Sequence, residues 1–222
     1  NDLVIDNAPS TLPVYWSHQF YFSSAPKLEH SGLGYMGLQN AGGSRVDDSM
    51  GKTAVFSVFG AAVAGTAGSC KVEPASMNFD GYKNLGGTSC RVAYDWSGGT
   101  AYRFKVSRGS TEREYTWWVG TVNGREIGRI KVLSSWGGLD GYSIMFTEIF
   151  GPNPPASCQD VPYIRARFSK PIADGVSVPS QPSSNLGCAN SKVTVTPNGI
   201  TQEEGIPPLP APPGPKDCKA DG

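Results

Sequence analysis

Glycine divides this chain into short pieces. Gly34-Tyr35-Met36-Gly37-Leu38-Gln39, Val55-Phe56-Ser57-Val58-Phe59, Tyr94-Asp95-Trp96 and Tyr102-Arg103-Phe104-Lys105-Val106 are aromatic or β-branched runs with glycine at or near their ends. Such runs fit a pleated, half-buried surface, and their recurrence is how antiparallel strands show in sequence. Period-two alternation places Gln19 and Tyr21 on one side of a strand over 17–22 and His18, Phe20 and Phe22 on the other, so one face belongs to a core. Further strands are predicted over 35–39, 53–59, 89–94, 101–107, 115–122, 126–132, 142–150 and 163–169. Asn123-Gly124 separates two of them, and Asn-Gly between alternating apolar runs is a strong hairpin signal. So many strands need two sheets. The expectation is an all-β fold, a two-sheet antiparallel β-sandwich of jelly-roll or lectin-like type.

The chain has 222 residues, which suits one large β domain with a tail. We place the sandwich at 1–175 and a Pro/Ser-rich C-terminal extension at 176–222, with a short strand over 192–197. The proline segment 205–215 should be extended, as a linker or as a docking segment for a protein partner. Lys plus Arg and Asp plus Glu are both 19, so no global positive field would hold nucleic acid. No apolar stretch reaches the roughly 18 residues of a membrane span.

The five cysteines, Cys70, Cys90, Cys158, Cys188 and Cys218, show no C-x-x-C spacing and have only His18 and His30 as potential co-ligands. Disulfides therefore explain them better than zinc. Cys70 with Cys90 would close a loop between two strands, and Cys158 with Cys188 would tether the extension. Cys218 is then left for a residue outside this chain, for another molecule, or for Cys188 in place of Cys158. Disulfides imply an oxidising compartment. The start at Asn1, with no apolar leader, is what a mature secreted chain looks like.

The order of four segments resembles the secreted domains of the domain-of-unknown-function family 3472. They are Gly34-Tyr35-Met36-Gly37-Leu38-Gln39, Val55-Phe56-Ser57-Val58-Phe59, Cys90-Arg91-Val92-Ala93-Tyr94-Asp95-Trp96 after Gly86-Gly87, and Gly99-Thr100-Ala101-Tyr102-Arg103-Phe104. The resemblance covers roughly residues 15–170. It implies a lectin-like or jelly-roll sandwich in secreted proteins that sometimes accompany carbohydrate-directed modules. No catalytic residues come with it, and this chain has Phe59 where the family commonly shows Trp.

A sugar-binding surface needs aromatic rings for the C–H faces of pyranoses and a few amides or carboxylates for their hydroxyls. Trp117 and Trp118 are adjacent in one strand, so they point to opposite faces and one lies outside. Trp136, between serines and glycines, is either a loop contact or a plug on the core. Trp16 beside Tyr15 is either an edge platform or core. Tyr35 and Gln39 supply a ring and an amide in the first glycine-bounded run, and Trp96 reads as a turn anchor. Asp47 and Asp48 form an acidic loop of the kind that contributes oxygen ligands to Ca2+, although it lacks EF-hand spacing and also reads as a solvated turn.

For catalysis the suggestive acid is Glu148, which interrupts an apolar run and should need a partner such as Arg103, Arg165 or Arg167. His18, meeting Tyr21 and Arg103 on one face, would suit a polysaccharide lyase. No G-x-S-x-G elbow, phosphate loop or dinucleotide fingerprint is present. Three functions follow in order: a secreted carbohydrate-binding module, a glycoside hydrolase or polysaccharide lyase on the same fold, and an extracellular protein-interaction module.

Overall fold

A computed structural model of the chain describes residues 1–10, 12–25, 32–40, 51–60, 63–64, 69–73, 76–77, 83–84, 86–150, 155–177 and 188–207. Their strands, in chain order, are β1 (Asp2–Asn7), β2 (Val14–Phe22), β3 (Leu33–Gln39), β4 (Thr53–Phe59), β5 (Val63–Ala64), β6 (Ser69–Glu73), β7 (Ser76–Met77), β8 (Lys83–Asn84), β9 (Gly87–Ala93), β10 (Ala101–Glu112), β11 (Tyr115–Val122), β12 (Arg125–Leu133), β13 (Leu139–Ile149), β14 (Ile164–Ser169), β15 (Ile172–Ala173), β16 (Val176–Ser177), β17 (Lys192–Thr196) and β18 (Gly199–Glu204). Among the described residues no helix is long and apolar enough to cross a membrane.

Two large antiparallel sheets form the β-sandwich. An eight-stranded sheet runs β17-β18-β14-β1-β10-β11-β12-β5, and a six-stranded sheet runs β13-β2-β3-β4-β9-β6. The predicted Asn-Gly hairpin joins β11 to β12, with Asn123 at φ 47° and Gly124 at φ 80°, both in the left-handed region that a two-residue turn requires. Strands β4 and β11 have the predicted limits; β1, β6 and β18 were not anticipated.

The core forms where the inner faces meet. Val14, Trp16, Phe20 and Phe22 of β2, Met36 and Leu38 of β3, and Ala54, Phe56 and Val58 of β4 face Leu3, Ile5, Tyr102, Phe104, Trp118 and Ile130 of the other sheet. Two glycines make this fit possible. A Cβ on Gly120 would lie 2.4 Å from Phe56 Cγ, and one on Gly128 would lie 2.5 Å from Cys90 Sγ. Gly120 and Gly128 are cross-strand partners, so one sheet carries a hollow that receives the Phe56 ring and a disulfide from the other.

That disulfide joins Cys70 of β6 to Cys90 of β9, which pair directly across the ladder. The second joins Cys158 to Cys188. Both expected pairings are present. Each closes a loop of 20 or 30 residues, for which about 3 kcal/mol of stabilisation is usual. Cys218 lies outside the described residues.

The extension expected from residue 176 onward is partly folded into the sandwich. β18 pairs with β14 through Ile164↔Glu204 to Ser169↔Gly199, and Ile200 is buried in the core. The sheet therefore runs past the boundary placed at 175, and the Cys158–Cys188 bridge ties this returning segment to the body. The proline-rich residues from 208 onward lie outside the described residues.

Candidate functional site on the outer face of the six-stranded sheet

Alternation along β2 sends Trp16, His18, Phe20 and Phe22 inward and Tyr15, Ser17, Gln19 and Tyr21 outward. On the outer face the register sets Tyr15 beside Gln39, Ser17 beside Gly37 and Gln19 beside Tyr35. Across β13 it sets Tyr15 beside Glu148 and Ser17 beside Phe146. The middle of this surface is built from small residues. A Cβ on Gly37 would lie 1.9 Å from the Trp16 carbonyl oxygen, so a side chain there would push the strands apart.

Because Ser17 and Gly37 leave a hollow, the Tyr15 and Tyr35 rings lean across it until their centroids are 5.4 Å apart, edge to face. Phe146 meets Tyr15 edge-on at 5.9 Å, and Phe59 meets Tyr35 at 5.2 Å. The result is a chain of rings, Phe146–Tyr15–Tyr35–Phe59, over a hydroxyl layer in which Ser17 donates to the Met36 carbonyl at 3.2 Å and the Ser57 and Ser89 hydroxyls bond at 2.8 Å. A second aromatic pair stands beside it. Tyr21 and Tyr142 are 5.5 Å apart, the Gln19 amide donates to the Tyr21 hydroxyl, and Tyr142 is 47% exposed.

Two groups on this face are electrostatically unusual. The Tyr15 hydroxyl is buried without a hydrogen-bond partner of good geometry, although the Ser17 hydroxyl lies near it. Its pKa is raised well above the ordinary tyrosine range, first by burial and then by Tyr35, with Glu148 adding to the rise and Ser17 and Arg91 opposing it. Glu148 is exposed as a residue, yet local desolvation of its carboxyl raises the pKa above the ordinary value. No ion pair to it occurs among the described residues. The expected arginine partners are engaged elsewhere: Arg103 bonds Asp2 at 2.8 Å, Arg167 bonds Asp6 at 2.7 Å, and Arg165 lies between Asp6 and Glu203. They lie on the opposite sheet, which sequence position alone could not reveal.

The tryptophans divide between core and surface. Trp118 is buried against Phe22, while Trp117 points outward from the eight-stranded sheet, as adjacent strand residues must. Trp117 donates through Nε1 to Glu112 at 2.8 Å and lies under the Lys131 ammonium at 4.7 Å, so charged side chains already attend its ring. Trp136 is only 5% exposed and packs on Phe22, which makes it a plug of the core rather than a loop contact. Trp16 is fully buried against Trp96, not an edge platform. Trp96 anchors its turn as expected, with Nε1 donating to the Gln39 carbonyl at 2.9 Å.

Tyr35 and Gln39 lie together on the aromatic face, both half-buried. His18 does not join Tyr21 and Arg103. It points into the interior, Tyr21 points out on the same strand, and Arg103 is on the outer face of the other sheet. Asp47 and Asp48 lie outside the described residues. Among the described residues no group of three or more His, Cys, Asp or Glu side chains could hold a metal ion.

Sequence reading had singled out Tyr35, Gln39 and Glu148 but had not joined them to Phe59, Tyr142 and Phe146. Period two along β2 shows that Tyr15, Gln19 and Tyr21 share a side. Only strand order shows that β3 and β13 flank them. What the fold and this surface define is an antiparallel β-sandwich with one aromatic outer face. Comparison with known families and with curated proteins finds no match to this chain.

Proposed function

We propose that this protein is a secreted carbohydrate-binding module whose glycan lies across the outer face of the six-stranded sheet. The observation that carries the reading is the pairing of exposed Tyr142 with half-buried Tyr21, with the Gln19 amide on its rim and the Phe146–Tyr15–Tyr35–Phe59 rings beside it. Rings in that setting offer stacking surface for pyranose C–H faces, and Gln19, Gln39 and Glu148 offer bonds to hydroxyls. The two disulfides support an extracellular setting.

The test is retention on a panel of glycans and polysaccharides, with newly formed reducing or unsaturated ends read in parallel. Retention should fall at least tenfold in Tyr142→Ala and persist in Trp117→Ala, which alters the opposite face. Equal retention in both variants would remove this face from consideration. One observation favours a second reading as a hydrolase or lyase: Glu148, held toward its protonated form, is the cross-strand neighbour of the Tyr15 hydroxyl, and a proton donor of that kind is what glycan cleavage requires. New ends that disappear in Glu148→Gln would establish that reading. Silence in both channels would favour a protein partner.

A further inference from the structure

The inner face of β2 carries a group that neither reading uses. His18 faces the opposing sheet from a strand whose other inward residues are Val14, Trp16, Phe20 and Phe22. Its ladder partners are Met36 on β3 and Met145 on β13, neither of which offers a strong hydrogen bond. Its Nε2 is buried without a hydrogen-bond partner.

Two other inward-facing polar side chains are also unsatisfied. Asn1 pairs with the inward-facing Phe104, which turns the Asn1 side chain between the sheets, and both its amide atoms are buried without partners. Ser143 lies one inward position from Met145 on β13, and its hydroxyl is buried and unpaired as well. Gln202 of β18 spends its side chain on the Met145 carbonyl and the Thr147 hydroxyl, each at 2.7 Å. Glu204 is two positions further along β18. Where Asn1 carries a free amino group, its positive charge opposes one on His18, and burial lowers that amine's own pKa.

We infer that His18 is an acid-operated release for the contact between the two sheets: protonating it places a proton and positive charge on the buried, unpaired Nε2 and favours separation where β2 meets the opposing sheet. Burial first, and the Asn1 amino group second, lower its pKa from 6.5 to about 3 in the folded protein. An unfolded chain takes up that proton near 6.5. Stability from the neutral imidazole is therefore complete above pH 6.5 and is lost as pH falls from there toward 3. Glu148 and Glu204 act in the opposite sense, since desolvation raises both carboxyls and acidification relieves them. The Asn1 amino group, lowered by burial from its ordinary 8.0, acts in the same sense as His18, so the histidine contribution is read as a difference between variants.

The experiment is chemical denaturation between pH 7.5 and pH 5, carried out in a His30→Gln background so that one imidazole remains. Over that range the folding equilibrium constant should fall about 30-fold more in the parent than in His18→Leu, the one-proton limit of tenfold per pH unit below 6.5. Equal slopes in the two proteins overturn the inference. If that variant does not fold, the imidazole C–H resonance of the parent protein decides: a native-state titration below pH 4 supports the release, and one near 6.5 overturns it.

Discussion

The two outer faces of this sandwich are built on opposite principles. On the eight-stranded sheet, Glu203, Arg165, Asp6 and Arg167 form a ladder of ion pairs, Asp2 bonds Arg103, and a groove of about 380 Å³ is lined by Asp2, Ala101, Arg103, Lys105, Thr121, Asn123 and Gly124. On the six-stranded sheet, serines and glycine lie beneath a layer of linked rings. The first face is ordinary solvated surface, where charges meet in water and add little. The second is a small additional core on the outside of a sheet. It concentrates aromatic surface where water would otherwise lie, which is why the proposed ligand is placed there.

The sharpest way to break this contrast is to remove a ring and a charge in turn. Tyr15→Ala should cost about 3 kcal/mol or more of unfolding free energy, because it deletes a buried ring that touches Tyr35 and Phe146. Denaturant titration would check this, and a cost below about 1 kcal/mol would mean that the ring layer contributes no packing. On the other face, Asp6→Ala should cost about 1 kcal/mol or less, with the difference shrinking as salt is added. A large, salt-insensitive loss there would show that the ladder is structural.

The smallest expected effect sharpens the comparison through pH. Glu148 has its folded pKa raised above the ordinary 4.5, so the folded protein holds that proton more tightly than the unfolded chain. Stability is then favoured below 4.5 and lost as pH rises through the folded value. Glu148→Gln should be modestly more stable than the parent at pH 7 and equal to it at pH 3.5. Equal stability at both pH values would mean that Glu148 is solvated like the acids of the opposite face.

Much of the architecture was legible in the chain. Period two along 17–22 assigned His18, Phe20 and Phe22 to one side, Asn123-Gly124 located its hairpin, and adjacency forced Trp117 and Trp118 apart, because these are local consequences of backbone geometry. The composition change after Lys170-Pro171 puts 192–204 in the extension, with a strand expected only over 192–197, yet β18 adds to β14 through backbone hydrogen bonds that composition does not encode. Trp136 shows the same limit. Its glycine-rich setting fits a contact loop, and only the position of Phe22 makes it a plug.

By itself, then, the sequence determined an all-β chain, its hairpin and the alternation of inward and outward residues, since each depends on neighbours one or two positions away. The tertiary structure decided that Tyr15, Tyr35, Phe59 and Phe146 form one surface, that Glu148 is on the opposite sheet from the arginines expected to neutralise it, and that the His18 Nε2 is buried without a partner. Those outcomes depend on strand order and on which sheet each strand joins. Such choices arise from contacts between residues distant in the chain, where a Gly120 hollow accepting Phe56 counts for more than any local preference.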